Sequence, residues 1–186
     1  MPIIAGVDEA GRGALAGPVV AAAVILCPGD AGEYADSKQL SAAKRRALFQ
    51  ALRESGAWIG VGIVNHRHID RVNILQATLL AMSKSVARLG QTPDEVLIDG
   101  KQIPKQLRIP ARAIVGGDDT VRCISAASIV AKVVRDFLME RYDQRYPQYG
   151  FMKHKGYGTL AHRRIIATNH FSPIHRRTFM VKLEGL

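Results

Sequence analysis

The stretch Ile3-Ile4-Ala5-Gly6-Val7-Asp8-Glu9-Ala10-Gly11-Arg12-Gly13 starts as an apolar strand and breaks at glycine. Ile3 to Val7 has the small and β-branched residues of a buried strand. Asp8 to Gly13 then reads as a tight turn, and Pro18 to Leu26, rich in Val and Ala, as a second strand. Working outward, Ser41 can cap a helix running to about Ser55, with Gly56 as its stop. Trp58 to Val64 is a third strand, and Asn73 can cap a helix ending near Leu89-Gly90. Glu95 to Ile98 and Ala111 to Val115 are short strands, each followed by glycine. A long helix is predicted from Ile124 to about Tyr146, ended by Pro147, and a last one from Thr159 to Asn169. Strands first, then strands alternating with helices, predict an α/β fold with a mixed central sheet flanked by helices. No repeat or low-complexity linker interrupts the 186 residues, so a single domain over 1–186 is expected, with 147–186 as a basic C-terminal extension.

Hydrophobic residues make up 47% and charged residues 23%, an ordinary globular balance. The net charge of +10 and pI near 10.0 point to a polyanionic partner, since neutralising phosphates releases counterions. The competing explanation is a basic surface kept for solubility. From Gly150 onward there are seven Lys or Arg, four of the six His and one acid, Glu184, which has the look of an electrostatic footprint. No apolar run reaches the roughly 18 residues that span a membrane. Gly17 to Cys27 is short and follows the acidic Asp8-Glu9 pair, unlike a signal peptide. No membrane contact and a cytoplasmic location are expected. Cys27 and Cys123 lie far apart in apolar stretches and read as buried reduced thiols.

Four acids stand out by their surroundings. Asp8 ends a buried-type strand at a glycine turn, with Glu9 next to it; Asp99 ends another such strand, before Gly100. Strand ends in α/β sheets project side chains from a rigid platform and commonly carry sites. Asp99 alone has a plainer explanation, because Asp-Gly is a common turn. The pair Asp8-Glu9 is harder to dismiss, since adjacent carboxylates repel unless something neutralises them. On the long helix, Ser125, Ser128, Lys132 and Asp136 form one polar stripe among Ile129, Val130, Val133, Val134 and Phe137. The stripe either faces a small polar site or is a solvated edge with a Lys132–Asp136 pair.

Oxygen donors of this kind suit Mg²⁺ or Mn²⁺, and no Cys/His set has zinc spacing. Two such ions about 4 Å apart can clamp the attacking and leaving oxygens of a phosphodiester. Glu9 can share a site with Asp8 only if the strand has ended or bulged there, because successive strand side chains face opposite ways.

Asp8-Glu9-Ala10-Gly11-Arg12-Gly13 resembles the opening signature of the type 2 ribonucleases H. Asp36-Ser37-Lys38-Gln39-Leu40, Leu97-Ile98-Asp99-Gly100 and Ser125 to Asp136 resemble that family's later motifs, in order. So do Tyr149-Gly150-Phe151, His154-Lys155-Gly156-Tyr157-Gly158-Thr159 and His175-Arg176-Arg177-Thr178-Phe179. The resemblance implies a ribonuclease H-like fold with a helical C-terminal extension. It implies Asp8, Glu9, Asp99 and Asp136 as catalytic metal ligands, with two divalent ions, Mn²⁺ or Mg²⁺. It implies Gly11, Arg12 and Gly13 as the holders of a ribose 2′-hydroxyl, and Tyr157 as the residue packing on the sugar at the cut site. Lys38, Arg176 and Arg177 are the further substrate contacts, the two arginines expected on phosphates together with Lys153 and Lys155. The implied partner is an RNA–DNA hybrid or duplex DNA containing ribonucleotides, cut to leave 5′-phosphate and 3′-hydroxyl ends by a chain acting as a monomer.

Ala14, Gln39, Gly116 and Thr178 depart from the family's usual Pro, Lys, Lys and Ser, which bears on substrate affinity rather than on the acids. Other readings compete. A non-catalytic nucleic-acid-binding module accounts for the charge but not for acids at apolar strand ends. The sibling type 3 enzyme usually carries an extra N-terminal domain, for which a first strand beginning at residue 3 leaves no room. A metal-dependent phosphatase has no need of a basic extension.

Overall fold

The computed structural model describes residues 2–30, 32–34 and 40–180. Five strands form one mixed sheet: β1 (Ile4–Ala10), β2 (Val19–Ile25), β3 (Trp58–Val64), β4 (Glu95–Asp99) and β5 (Ala111–Ile114). Their spatial order is β3-β2-β1-β4-β5, with β1–β2 and β2–β3 antiparallel and β1–β4 and β4–β5 parallel. The helices are α1 (Ala42–Glu54), α2 (His66–Val86), α3 (Gly117–Thr120), α4 (Arg122–Arg145), α5 (Phe151–His154) and α6 (Leu160–Asn169).

The sheet is covered on both faces, which is why its central strands read as unbroken apolar runs. Ala5, Val7, Ala21, Ala23, Val96 and Ile98 pack one face against Ile69, Ala77 and Ala81 of α2. Ala10, Ala22 and Val24 pack the other against Ala126, Ala127, Ile129 and Val130 of α4 and Leu52 of α1. Alanines and glycines on the strands let the helix backbones come close. A Cβ on Gly6 would overlap the carbonyl carbon of Cys123 and the nitrogen of Ile124, atoms of backbone that cannot swing aside. Gly6→Ala is therefore expected to cost about 3 kcal/mol or more, the upper range for overpacking. A lowered urea midpoint at unchanged slope would register this, and a midpoint at the wild-type value would refute the tight seating of α4.

Ser41 caps α1 through the Lys44 amide, and Gly56 follows its C-cap, as its pattern predicts. Thr159 likewise caps α6. Three elements differ from the expectation. β1 does not end at Val7 but runs through Ala10, because β2 continues to pair with it after β4 has stopped. α2 begins earlier, at His66 with Asn65 as cap; Asn73 sits at a kink within it with φ 70° and caps the second segment through Gln76. The short α3 after Gly116 had no visible helical period. Cys27 and Cys123 are free and half-buried. Among the described residues, no helix is long and apolar enough to cross a membrane.

A third apolar cluster, of Ala16, Met139, Tyr149, Phe151 and Ile174, fastens the C-terminal region onto the end of α4 and the segment after the glycine turn. Short bridges pair Ala14 with Tyr157 and Ala16 with His175. Tyr157 and His175 of the C-terminal region are thereby held beside the segment that follows β1.

Candidate active site

β1 and β4 run in the same direction, and their pairing ends at Val7 opposite Ile98. The next residues are Asp8 and Asp99, so the register alone sets two carboxylates side by side at one edge of the sheet. Asp8 pairs with Ala22 across β2 and so faces α4, where Ser128 forms a hydrogen bond with its carboxylate. Its Oδ1 also accepts from the Glu9 amide at 2.7 Å. Glu9, opposite Ala21, belongs by alternation to the other face, yet its carboxyl shares a hydrogen bond with that of Asp8. The two meet although the strand neither ends nor bulges, where β1 has no β4 neighbour beyond Val7 and its last residues border a cavity.

The electrostatics reflect this crowding. Burial pushes the Asp8 carboxyl well above the usual carboxylate range, and the neighbouring Glu9 and Asp99 push the same way. Burial also raises Glu9, opposed by the Arg12 guanidinium at 3.3 Å. Asp99 accepts a 2.8 Å hydrogen bond from the amide of Gly117, which anchors the loop after β5.

These groups border a cavity of about 460 Å³ lined by Asp8, Glu9, Gly11, Arg12, Gly13, Arg45, Asp99, Asp118, Ser128, Lys132 and Tyr157. Asp136 does not line it: it lies one turn beyond Lys132, whose Nζ is 2.6 Å from its Oδ1. Both alternatives for the α4 stripe thus hold in part, since Ser128 and Lys132 face the cavity while Asp136 makes the helical ion pair. Asp118, buried at the rim, was missed by the sequence reading; it follows Gly116-Gly117 in a short helix rather than ending a strand, so the pattern that marked Asp99 does not mark it. Arg45 on α1 carried no signal beyond its charge. Lys38 falls outside the described residues.

Tyr157 is half-buried at the cavity wall, with the Arg135 guanidinium 5.0 Å and the Lys132 ammonium 5.7 Å from its ring centre. Arg177 is exposed, and its guanidinium lies 5.1 Å from the Phe171 ring. Arg176 departs from the expected surface phosphate contact. It is fully buried, and its guanidinium donates to the carbonyls of Gly17, Arg12 and Gly11 at 3.1, 2.8 and 2.7 Å. Arg135, also fully buried, donates to Pro18 and Ala16 at 3.1 and 3.2 Å. Burial pulls Arg176 down to about 9, with Arg135 adding to the effect. Arg176 therefore holds the glycine turn from behind through the carbonyls of Gly11 and Arg12, and Arg135 holds the segment that follows through those of Ala16 and Pro18. Gly11 has φ +93°, and a Cβ there would overlap Arg135 Nε, so the turn needs glycine both for its conformation and for this contact.

The donor set of Asp8, Glu9 and Asp99 is all oxygen, and burial pushes the carboxyls of Asp8 and Glu9 toward the protonated form. A hard divalent cation would offset the repulsion among these acids, so the chemistry of the residues fits one. As the side chains stand, no three His, Cys, Asp or Glu among the described residues are grouped to enclose an ion, Asp136 being turned to Lys132.

Comparison with known proteins gives the family and the fold. The family model described as ribonuclease HII matches residues 5–182. A ribonuclease HII of Maricaulis maris is 54% identical over 177 residues, covering 95% of this chain and 81% of that protein. One from Geobacter sulfurreducens is 54% identical over 184 residues, covering 98% and 84%. The crystal structure of ribonuclease H2 from Pyrococcus horikoshii superposes with a TM-score of 0.80 at 27% identity, covering 96% of this chain and 94% of that one.

Proposed function

This chain belongs to the ribonuclease HII family of nucleases, and on that premise we propose that it cuts the RNA strand of RNA–DNA hybrids and single ribonucleotides embedded in duplex DNA. The observation that carries the proposal is the placing of Asp8 and Asp99 one residue beyond the last paired residues of two parallel strands, beside a glycine turn held by its carbonyls.

In this reading Asp8, Glu9 and Asp99 hold divalent ions, two of them, Mg²⁺ or Mn²⁺. Asp136 joins the set by exchanging its Lys132 contact. Bound there, such ions supply Lewis-acid polarisation of the phosphodiester and lower the pKa of water. The chain's own residues do the rest. Ser128 and the Glu9 amide fix the Asp8 carboxylate. Arg12 and Arg45 at the cavity wall offer cationic groups to the phosphates. The backbone of Gly11-Arg12-Gly13 approaches the ribose 2′-hydroxyl, the group that marks RNA, and Tyr157 packs on the adjoining sugar. Water adds to phosphorus, the bond to the 3′ oxygen breaks, and that oxygen leaves with a proton, which gives 5′-phosphate and 3′-hydroxyl ends.

The test is cleavage of a DNA duplex containing one ribonucleotide, compared in Mg²⁺, Mn²⁺ and chelator. Cutting at the ribonucleotide with either ion and none with chelator is expected. Undiminished cutting in chelator would overturn the assignment of the acids, and indifference to the ribonucleotide would overturn the sugar-reading role.

A further inference from the structure

Behind the cavity wall that carries Tyr157 lies a row of imidazoles with no place in the chemistry above. His162 and His175 are fully buried, and their Nε2 atoms are 3.0 Å apart. His162 Nδ1 is 2.9 Å from the Tyr157 carbonyl oxygen. His175 Nδ1 is 2.8 Å from the Ser172 amide nitrogen and 2.6 Å from its Oγ. These partners admit one arrangement of protons. A carbonyl only accepts, so His162 Nδ1 carries a hydrogen. A backbone amide only donates, so His175 Nδ1 carries none. The shared Nε2 contact is satisfied when His175 donates and His162 accepts. The result is a directed chain from the Ser172 amide through His175 and His162 to the carbonyl of Tyr157. A proton added to His162 would set two N–H groups face to face, and one added to His175 would oppose the Ser172 amide. Burial holds both rings neutral, at about 4 for His162 and about 3 for His175. His154 stacks on His162 with ring centres 4.0 Å apart.

We propose that His162 and His175 are positioning residues for sugar recognition: their fixed tautomers pin the Tyr157 main chain and so aim its ring into the cavity. The inference rests on the sugar-reading role given to Tyr157 above. Buried polar groups are costly unless fully paired, and an apolar pair would fill the same space at lower cost. What an apolar pair could not do is hold the Tyr157 carbonyl. The neighbour of His175 is Arg176, which pins Gly11 and Arg12. One dipeptide thus sets both walls of the sugar site, the tyrosine and the glycine turn.

Two measurements test this on the full chain. In protein labelled with ¹⁵N-histidine, His162 should show a protonated Nδ1 and bare Nε2, and His175 the reverse. A through-hydrogen-bond coupling should join the two Nε2 atoms. A charged ring at neutral pH, or His162 protonated at Nε2, would overturn the chain of bonds. The second measurement compares His162→Phe, which keeps a ring but no donor, with His162→Asn, whose amide can still reach the carbonyl. His162→Phe should slow cleavage at one embedded ribonucleotide about tenfold or more, since small misplacements are costly, while duplex binding and cleavage of long hybrids change less. His162→Asn should recover part of the loss. Wild-type selectivity in the Phe variant, or equal loss on both substrates, would overturn the positioning role. Failure of wild-type protein to prefer a ribonucleotide would instead sink the function itself and leave the labelled spectrum as predicted.

Discussion

Asp8→Asn should abolish cleavage and yet leave a protein that, without divalent metal, is more stable than wild type. The substitution keeps the shape of the side chain and the oxygen that accepts from the Glu9 amide. It removes the charge that would hold an ion. Groups one step removed from a metal cost about 10- to 100-fold when lost, so a direct ligand should cost at least about 100-fold. The stability gain has a definite pH dependence. Burial, with Glu9 second, raises the Asp8 carboxyl in the folded protein above its value in the unfolded chain. Between those two values the folded state binds more protons, so wild-type stability falls as pH rises through that window. Asn carries no such penalty. Its advantage should be full at pH values above the folded pKa and should shrink as the medium is made acid. Urea unfolding in chelator at mildly alkaline and at acid pH measures it. A variant that cleaves within tenfold of wild type, or that is less stable at alkaline pH, would contradict this role for Asp8.

Arg176→Ala should have the second large effect, on the fold as much as on activity. The guanidinium fills buried space and satisfies three carbonyls of the segment from Gly11 to Gly17. Truncation takes the guanidinium from those carbonyls, leaving Gly11 only the Ala14 amide at 3.4 Å, and opens a cavity, at an expected cost of about 3 kcal/mol or more, partly offset because a buried charge is removed with it. Arg176→Lys keeps the charge but not the planar fork, and one ammonium cannot serve three carbonyls in that geometry. It should fold and still lose selectivity for the ribonucleotide. The salt dependence of duplex binding separates the two neighbours. Arg177→Ala should lower its slope by about one, as for an exposed phosphate contact, whereas Arg176→Ala should leave it unchanged. A lowered slope on losing Arg176 would mean that the guanidinium reaches phosphate after all.

Much of this molecule was legible in the residues. Alternating and continuous apolar runs placed all five strands, because burial on one or both faces writes its period directly into the chain. The cap at Ser41 was readable because capping needs only a side-chain oxygen next to free amides. Asp8 and Asp99 declared themselves as acids where an apolar strand meets glycine, and the order of the motifs pointed to the family that the comparisons show.

Other features depend on contacts between residues far apart in the chain, for which no local pattern exists. β1 runs past Val7 because β2 still pairs with it, and this lets Glu9 meet Asp8 where strand alternation argued against it. Asp136 lies on the expected stripe but pairs with Lys132, a choice made by side-chain rotation rather than by helical phase. Asp118 lines the cavity next to Gly117, whose amide is tied to Asp99 of β4. Arg176 and Arg177 are identical in type and adjacent in sequence, yet one is fully buried beneath the glycine turn and the other exposed. The sequence by itself determined which residues are charged, apolar or turn-forming, and hence the layers and the family. Tertiary structure alone decided which of those charges face the cavity and which are spent on backbone carbonyls, because a guanidinium binds phosphate and carbonyl oxygen by the same donors and only packing selects between them.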